Sequence, residues 1–216
     1  MQGLKKIIKL QKCGKPIIGF DIDGTLTDFE GFLEKYSPSY MQKKYGLIIQ
    51  NRMGYDIDEL YRLGGKREKE SAIAKQFWNR FYVRYCFGYP LRKDAGSTIK
   101  RLKEKYAVVI FTSRNRACKK GVVGWFVRMS TRLQLWINGV YPDAIIFFED
   151  DVEKCTGINQ GSLAAMVDDK PEVLAQIKGC TKICVASYYN EGVEGCVRVK
   201  ALDEVLEVLG ECQTCG

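Results

Sequence analysis

Two aspartates separated by one residue follow directly on a short apolar run near the start of the chain. The segment KPIIGFDIDGTLTD places Asp21 and Asp23 at the end of this run, and Gly24 lets the chain turn close to them. Side chains alternate along an extended strand, so both carboxylates project to the same side. Two carboxylates this close repel each other unless a cation or a proton lies between them. The pair therefore predicts a site for metal-assisted or acid–base chemistry.

A calcium-binding loop is the first alternative for this pair. Such a loop requires glycine at its sixth position and glutamate at its twelfth. Counted from Asp21, these positions hold Leu26 and Phe32, and an apolar run precedes the loop. The sequence therefore excludes this kind of calcium site and leaves phosphoryl transfer as the chemistry to examine.

The composition narrows that chemistry further. The 216 residues include no histidine, so Ser-His-Asp and Cys-His catalysis are excluded. A metal ion would be held by oxygen, which favours Mg²⁺. Proton transfer near neutral pH falls to carboxylates, lysine, tyrosine, cysteine or water. The formal net charge of +8 favours an anionic partner, and we expect a small phosphorylated substrate. A nucleic-acid-binding module is a distant alternative, because no helix-turn-helix, RNP or zinc-finger signature is present.

The cysteines and the apolar runs indicate the cellular compartment in which the protein is expected. The nine cysteines are scattered and odd in number, and no export signal is recognisable, so reduced thiols are expected. Cys212 and Cys215 form a CxxC pair, but one pair cannot complete a tetrahedral zinc site. No run approaches the roughly 20 apolar residues of a membrane helix. We expect a cytoplasmic protein without a membrane partner, and the oligomeric state is left open.

Along the rest of the chain, short apolar runs alternate with segments of helical periodicity. The runs lie at 16–20, 107–111, 144–148, 163–167 and 182–186. The helical segments lie at 97–105, 122–136, 171–178 and 202–209. This alternation predicts an α/β fold, with a Rossmann-like parallel sheet sandwiched by helices. Ligands bind such sheets at the carboxyl ends of the strands.

One segment interrupts the alternation. Between residues 28 and 91 no buried-strand pattern occurs, and two aromatic, charged stretches at 30–45 and 70–85 have helical character. The sequence thus predicts a small helical cap, 28–91, inserted after the first strand. The catalytic core would comprise 1–27 and 92–216.

Further chemical groups follow the other predicted strands. A phosphoryl-transfer site requires a hydroxyl donor, a cation and additional carboxylates. Candidates occur in this order after successive runs: Thr112 and Ser113, then Lys154, then Asp168 and Asp169.

Each of these candidates has a plainer interpretation. The two hydroxyls could cap a turn. Lys154 lies in the polar segment EDDVEKCTG and could be a surface lysine, with Lys170 or Lys120 taking its place. The aspartate pair could cap a helix that begins at Pro171.

The ordered segments resemble the four motifs of the haloacid dehalogenase (HAD) superfamily phosphatases. DIDGT at 21–25 matches the first motif, Thr112 the second, Lys154 the third, and DD at 168–169 the fourth. The forms FDIDGTLTD and VDDKPE, with a helical insertion, are similar to the 5′-nucleotidase C-type branch, which includes the 5′(3′)-deoxyribonucleotidases.

This resemblance implies a two-step mechanism. Asp21 would attack phosphorus and become an aspartyl phosphate, while Asp23 would protonate the leaving oxygen and then activate water. The phosphoryl oxygens would be held by Thr112, Ser113 and Lys154.

The resemblance also implies a magnesium site. The ligands would be Asp21, the backbone carbonyl of Asp23, and Asp169, with Asp168 acting directly or through water. The implied function is a Mg²⁺-dependent phosphomonoesterase.

The sequence leaves two classes of substrate open. A nucleoside 5′-monophosphate is the first candidate, since several aromatic residues of the cap could stack on a base: Phe29, Phe32, Tyr55, Trp78 and Phe81. The alternative is a sugar, polyol or amino-alcohol phosphate used in cell-surface polymer synthesis. After the second motif, a further anionic group could bind to Arg114, Arg116, Lys119 and Lys120, or these residues could form a solvated loop.

Overall fold

The computed structural model describes residues 2–11, 14–64 and 70–210. Its strands are β1 Ile17–Phe20, β2 Ala107–Thr112, β3 Ala144–Phe147, β4 Ala165–Asp168, β5 Thr181–Val185 and β6 Val197–Val199. They form one sheet in the order β3-β2-β1-β4-β5-β6, in which every neighbouring pair is parallel. The predicted Rossmann-like α/β sheet is confirmed. The chain changes direction across the sheet between β1 and β4, which is where such sheets bind ligands.

The helices follow the predicted alternation, with some additions. They are α1 Gln2–Gln11, α2 Phe29–Tyr45, α3 Ile57–Leu60, α4 Ala72–Val83, α5 Ala95–Lys105, α6 Val122–Ile137, α7 Asp151–Asn159, α8 Pro171–Gln176 and α9 Glu204–Val208. A π-helical turn, Arg84–Gly88, extends α4. Among the described residues, no helix has the length and apolarity needed to cross a membrane.

The central strands are apolar because both faces of the sheet are covered. One face packs against α5, α6 and α9 through residues such as Ile99, Leu135 and Val205. The other packs against α1, α7 and α8 through Ile7, Ile158 and Val173. Burial on both faces explains why β1, β2 and β4 were recognisable as short continuous apolar runs.

Among the described residues outside the insertion, one strand and two α-helices were not predicted. β6 has only three residues, and only Val199 of these is buried, so it lacks an apolar run. α1 precedes the first predicted strand, in a segment rich in lysine. α7 lies in the charged segment that follows β3, and its N-terminus is capped by Asp150, whose Oδ1 accepts a hydrogen bond from the Glu153 amide at 2.7 Å.

Helices α2, α3 and α4 and the π-helical turn occupy the predicted insertion. They pack around a hydrophobic cluster of their own that includes Phe32, Leu33 and Phe77. Asp28, whose role the sequence leaves open, caps α2 by accepting a hydrogen bond from the Gly31 amide at 3.0 Å. The boundaries of cap and core stay a prediction, as does a role for Cys212 and Cys215, which lie outside the described residues.

Candidate active site

Asp21 lies at the carboxyl end of the central strand β1. Its amide donates a hydrogen bond to the Val167 carbonyl at 3.0 Å, which fixes the backbone beside β4. The side chain is 5% exposed, and Oδ1 accepts a hydrogen bond from Lys154 Nζ at 2.6 Å. Asp21 is thus a buried carboxylate, paired with the Lys154 ammonium, at the edge of the sheet where ligands bind.

Lys154 reaches this edge from α7. Its Nζ also donates to Asp168 Oδ2 at 2.7 Å, and the side chain is 1% exposed. Burial alone would lower the pKa of Lys154, but Asp168 and Asp21 raise it above its usual value, so the lysine is charged. The surface-lysine interpretation is therefore wrong. Of the proposed substitutes, Lys120 is exposed, and Lys170 lies near the site but pairs with Asp151 at 3.0 Å.

Three carboxylates meet beside this lysine. Oxygen atoms of Asp21, Asp168 and Asp169 lie within 4.8 Å of one another. Asp169 Oδ1 accepts a hydrogen bond from Thr25 Oγ1 at 3.0 Å, and Oδ2 accepts one from the Tyr189 hydroxyl. Burial, followed by the neighbouring Asp168, raises the pKa of Asp169 to about 7, and burial also raises the pKa of Asp21. The crowding of buried negative charge indicates a place for a cation.

The donor set fits Mg²⁺ better than a softer metal, because every available ligand atom is a carboxylate or carbonyl oxygen. The backbone leaves room for the cluster at Gly24, which has φ +92°; a Cβ there would lie 2.2 Å from Asp169 Oδ2. The Asp23 side chain does not belong to this cluster, so the predicted contribution of Asp23 would come from its backbone carbonyl.

The Asp23 carboxylate is engaged by two residues instead. Arg114 donates from Nε to Oδ2 at 2.8 Å and from Nη2 to Oδ1 at 2.6 Å, and the Tyr85 hydroxyl donates to Oδ1 at 2.7 Å. Burial opposes the charge of Asp23, yet the Arg114 guanidinium and these hydrogen bonds lower its pKa below the usual value. Asp23 is therefore held as a carboxylate in this structure.

Arg114 is itself fixed by α6. Its Nη1 donates to Thr131 Oγ1 at 3.0 Å and to Gln134 Oε1 at 3.3 Å, and the side chain is only 5% exposed. Gln134 Nε2 donates in turn to the Tyr85 carbonyl at 3.1 Å. The solvated-loop interpretation is thus wrong for Arg114, which joins α6, the π-helical turn and Asp23.

The two predicted hydroxyl donors have different surroundings. Thr112 ends β2 and is 1% exposed, and its Oγ1 has no hydrogen-bond partner among the described residues, so it does not cap a turn. Ser113 Oγ donates to Asp151 Oδ1 at 2.6 Å. A buried hydroxyl without a partner is costly unless a ligand satisfies it. Thr112 is thus the clearer candidate for binding a phosphoryl oxygen.

Asp168 and Asp169 precede α8, but Lys170 occupies the helix N-cap position. Asp168 Oδ1 accepts a hydrogen bond from the Lys170 amide at 3.0 Å. The helix-cap interpretation therefore describes this one contact and not the main role of the two carboxylates. The principal contacts of both carboxylates are with Lys154, Thr25 and the Tyr189 hydroxyl.

A cavity of about 280 Å³ adjoins this site. It is lined by Met53, Tyr55, Glu59, Lys170, Pro171, Glu172 and Tyr189. Lys170 Nζ lies 4.9 Å from the centroid of the Tyr55 ring, and the Tyr55 and Tyr189 centroids are 4.9 Å apart. Since Tyr189 also contacts Asp169, the cavity reaches toward the carboxylate cluster.

The aromatic residues expected to stack on a base are largely committed to the cap. Phe29 and Phe32 are buried, and both stack on Trp78, at centroid distances of 5.8 and 6.1 Å. Phe81 packs on Phe77. Of the five, only Tyr55 lines the cavity beside the site.

The sequence did not predict several residues that contribute to this site. Tyr85 has the four-residue spacing of a cap-core stripe, and its ring does pack there, but its hydroxyl reaches Asp23. Tyr189 and Asn190 come from a 3₁₀-helical turn after β5, and Asn190 Nδ2 donates to the Asp169 carbonyl at 2.8 Å. Of the residues that contact Asp169, only Thr25 could be recognised from the sequence, because it is part of the first motif.

No protein-family model and no curated protein matches the sequence. Solved structures do match the fold. A haloacid dehalogenase-like hydrolase from Streptococcus pneumoniae has a TM-score of 0.62 at 15% identity, over 91% of this chain and 99% of that chain. A HAD-superfamily hydrolase of subfamily IA, variant 1, from Geobacter sulfurreducens has a TM-score of 0.56 at 14% identity, over 91% and 97%.

A third similar structure is YfnB from Bacillus subtilis, described as a HAD hydrolase and bound to magnesium. Its TM-score is 0.56 at 15% identity, over 91% of this chain and 99% of that chain. None of the three is described as a nucleotidase, so they lend no support to the narrower resemblance to the 5′-nucleotidase branch. What these likenesses establish is that the chain shares the fold of haloacid dehalogenase-like hydrolases.

Proposed function

We propose that the protein is a Mg²⁺-dependent phosphomonoesterase that forms an aspartyl phosphate on Asp21. The observation that carries the proposal is the position of Asp21: a buried carboxylate hydrogen-bonded to Lys154 at 2.6 Å, within a cluster completed by Asp168 and Asp169. The fold shared with HAD-like hydrolases supports the same assignment.

In the first step, an Asp21 oxygen attacks phosphorus and the bond to the leaving oxygen breaks. The leaving oxygen takes a proton from Asp23, and Lys154 and Thr112 hold the phosphoryl oxygens. Since Arg114 keeps the pKa of Asp23 low, Asp23 must first take up a proton from solvent, which requires Arg114 to loosen its hold when the substrate binds. We expect this step to limit the rate for substrates whose leaving group needs a proton.

In the second step, Asp23 accepts a proton from water as the water attacks phosphorus. The bond to Asp21 breaks, which releases inorganic phosphate and restores both carboxylic groups to their starting states. The charged form of Asp23, which Arg114 and Tyr85 favour, is the form that this step requires.

Mg²⁺ would be held by Asp21, Asp169, the backbone carbonyl of Asp23 and Asp168. When bound, it would offset the repulsion between the nucleophile and the anionic substrate.

A nucleoside 5′-monophosphate is the first substrate to test. Of the five predicted aromatic residues, Tyr55 lines the cavity next to the carboxylates, so a base bound there would contact its ring. An amino-alcohol phosphate is the second, because Glu59 and Glu172 line the same cavity with the rings of Tyr55 and Tyr189. Carboxylates and aromatic rings attract an ammonium group, as the position of Lys170 Nζ 4.9 Å from the Tyr55 ring centroid illustrates.

The test is phosphate release from deoxy- and ribonucleoside monophosphates, sugar phosphates, phosphoethanolamine and phosphocholine, with Mg²⁺ or with EDTA. We expect Mg²⁺-dependent turnover that Asp21→Asn lowers by at least about 1,000-fold, since the nucleophile is lost. Acid-quenched native protein should carry bound phosphate, and the variant should not.

Asp203→Asn provides the matched control, because Asp203 is an exposed acid at the start of α9 and makes no side-chain cap bond. Turnover that survives both EDTA and Asp21→Asn would contradict the mechanism. The preferred substrate would separate the nucleotide from the amino-alcohol candidate.

A further inference from the structure

Helix α6 exposes large apolar side chains on the side away from the sheet. Val122, Trp125 and Trp136 are 80%, 57% and 59% exposed. The other large apolar side chains exposed along this side are Phe126, Met129, Leu133 and Ile137. We call these seven residues the α6 stripe.

The stripe is a continuous band rather than a scatter of residues. At 100° per residue, its seven members fall within an arc of about 120° on the helix surface. The helix contains no acidic residue, and Arg132 borders the band. The buried side of α6 is separate: it carries Val127 and Leu135 and the two residues that hold Arg114, Thr131 and Gln134.

The size of the stripe calls for a partner. Its side chains present roughly 700 Å² of apolar surface, taking 150–250 Å² for each aromatic side chain and proportionately less for the others. The largest apolar patch on a typical monomer is about 300–600 Å². Phe126 also contacts Phe87 of the π-helical turn at a centroid distance of 5.5 Å, so the surface continues beyond α6.

We propose that the stripe is the contact surface of a homodimer in which α6 packs antiparallel against α6 of a second copy. An antiparallel twofold axis beside Met129 would place Val122 near Ile137 and Phe126 near Leu133 of the second copy, so apolar side chains would meet along the helix pair. A twofold interface is formed by the same patch on both copies, so the stripe would pack against itself.

The area and the composition agree with a second copy as the occupant. Two stripes would bury roughly 1,400 Å², within the 1,200–2,000 Å² of stable, specific interfaces. Interface cores are enriched in tryptophan, phenylalanine and methionine and depleted in charge, as the stripe is. Arg132 would lie at the solvated rim.

The position of Met129 gives a test that only a twofold interface passes. Native protein is expected to sediment as a dimer at micromolar concentration. Met129→Lys and Met129→Glu each bring two like charges together at the axis, so each variant should weaken the dimer at least about 30-fold. An equimolar mixture of the two variants should restore the dimer, because lysine then faces glutamate.

Ile48→Lys serves as the control, since Ile48 is 62% exposed outside α6, and it should leave the dimer intact. Restoration by mixing also shows that both variants are folded. A native protein that stays monomeric, or variants that dimerise as well as the native chain, would overturn the proposal. So would a monomer whose tryptophan fluorescence shifts on binding vesicles of anionic lipid, because the stripe would then face a membrane.

Discussion

Asp23 illustrates how a neighbouring residue decides what a carboxylate can do. Its partners, Arg114 and Tyr85, stabilise the charged form, whereas burial, together with neighbouring carboxylates, raises the pKa values of Asp21 and Asp169. The pKa values of carboxylates at one edge of the sheet are therefore shifted in opposite directions. In the proposed mechanism this separation keeps Asp23 ready to accept a proton from water.

Replacing Arg114 by glutamine should reveal this control. Without the guanidinium, the pKa of Asp23 rises, so its base form is lost at a higher pH. The second step uses this form, so the acidic limb of the rate of aspartyl-phosphate hydrolysis should move to higher pH, and at pH 7 we expect that rate to fall by about 10- to 100-fold. The measurement is the decay of acid-quenched phosphoenzyme after a single turnover of the preferred substrate, between pH 4.5 and 9.

Arg116→Gln is the matched control for that experiment. It removes a positive charge two residues away, where the guanidinium lies 5.1 Å from the centroid of the Tyr82 ring. Its acidic limb should coincide with that of the native enzyme. A limb that stays in place in Arg114→Gln would show that Arg114 does not control the protonation of Asp23.

Apart from Lys154, which lies on α7, the site residues that the sequence predicted lie at strand ends or directly after them. Asp21 and Asp168 could be assigned to one edge because parallel strands place their carboxyl ends together. Tyr85 and Gln134 could not, because each belongs to a helix whose rotation and distance from the site depend on tertiary packing. The same limit applies to β6, whose short, half-exposed sequence gains its place only by pairing with β5.

At the scale of elements, α7 is the means by which Lys154 reaches the sheet edge. The Asp150 side chain caps the helix one turn before the lysine, by accepting a hydrogen bond from the Glu153 amide. Asp150→Ala should lower the free energy of unfolding by about 1 kcal/mol, the typical value of an N-cap. Because the first turn frays, Lys154 should also be less well fixed, and kcat should fall by a few-fold.

The contrast with α9 makes this prediction specific. Asp203 occupies the N-cap position of α9 without a side-chain cap bond. Asp203→Ala should therefore change neither the urea midpoint nor kcat appreciably. Equal effects of the two substitutions would indicate that the cap on α7 does not position the lysine.

At the scale of the whole molecule, the helical insertion, the sheet and α6 all meet at Asp23. Tyr85 comes from the π-helical turn, Asp23 from the β1 loop, and Gln134 from α6. The apolar stripe lies on the opposite side of that same helix. The proposed dimer contact and the control of the acid–base residue would thus share one rigid element.

The stability of the metal-free protein should depend on pH in an unusual direction. Asp169 has a pKa of about 7 in the folded state and an ordinary carboxyl pKa when unfolded, so the folded state binds more protons between about pH 4 and pH 7. Stability from this group is therefore present at low pH and lost as the pH rises through 7, and Asp21 acts in the same direction. In EDTA, the free energy of unfolding should fall by about 2 kcal/mol between pH 5.5 and pH 8.

Urea titrations at the two pH values, with EDTA or with Mg²⁺, measure this dependence. Added Mg²⁺ should stabilise the protein more at pH 8 than at pH 5.5, because protons compete with the ion for the same carboxylates. Asp169→Asn should flatten the pH dependence in EDTA and reduce the stabilisation by Mg²⁺. A metal-free protein that becomes more stable as the pH rises from 5.5 to 8 would refute the raised pKa of Asp169. Solvated carboxylates with ordinary or lowered pKa values, rather than one crowded buried cluster, would then control how stability depends on pH.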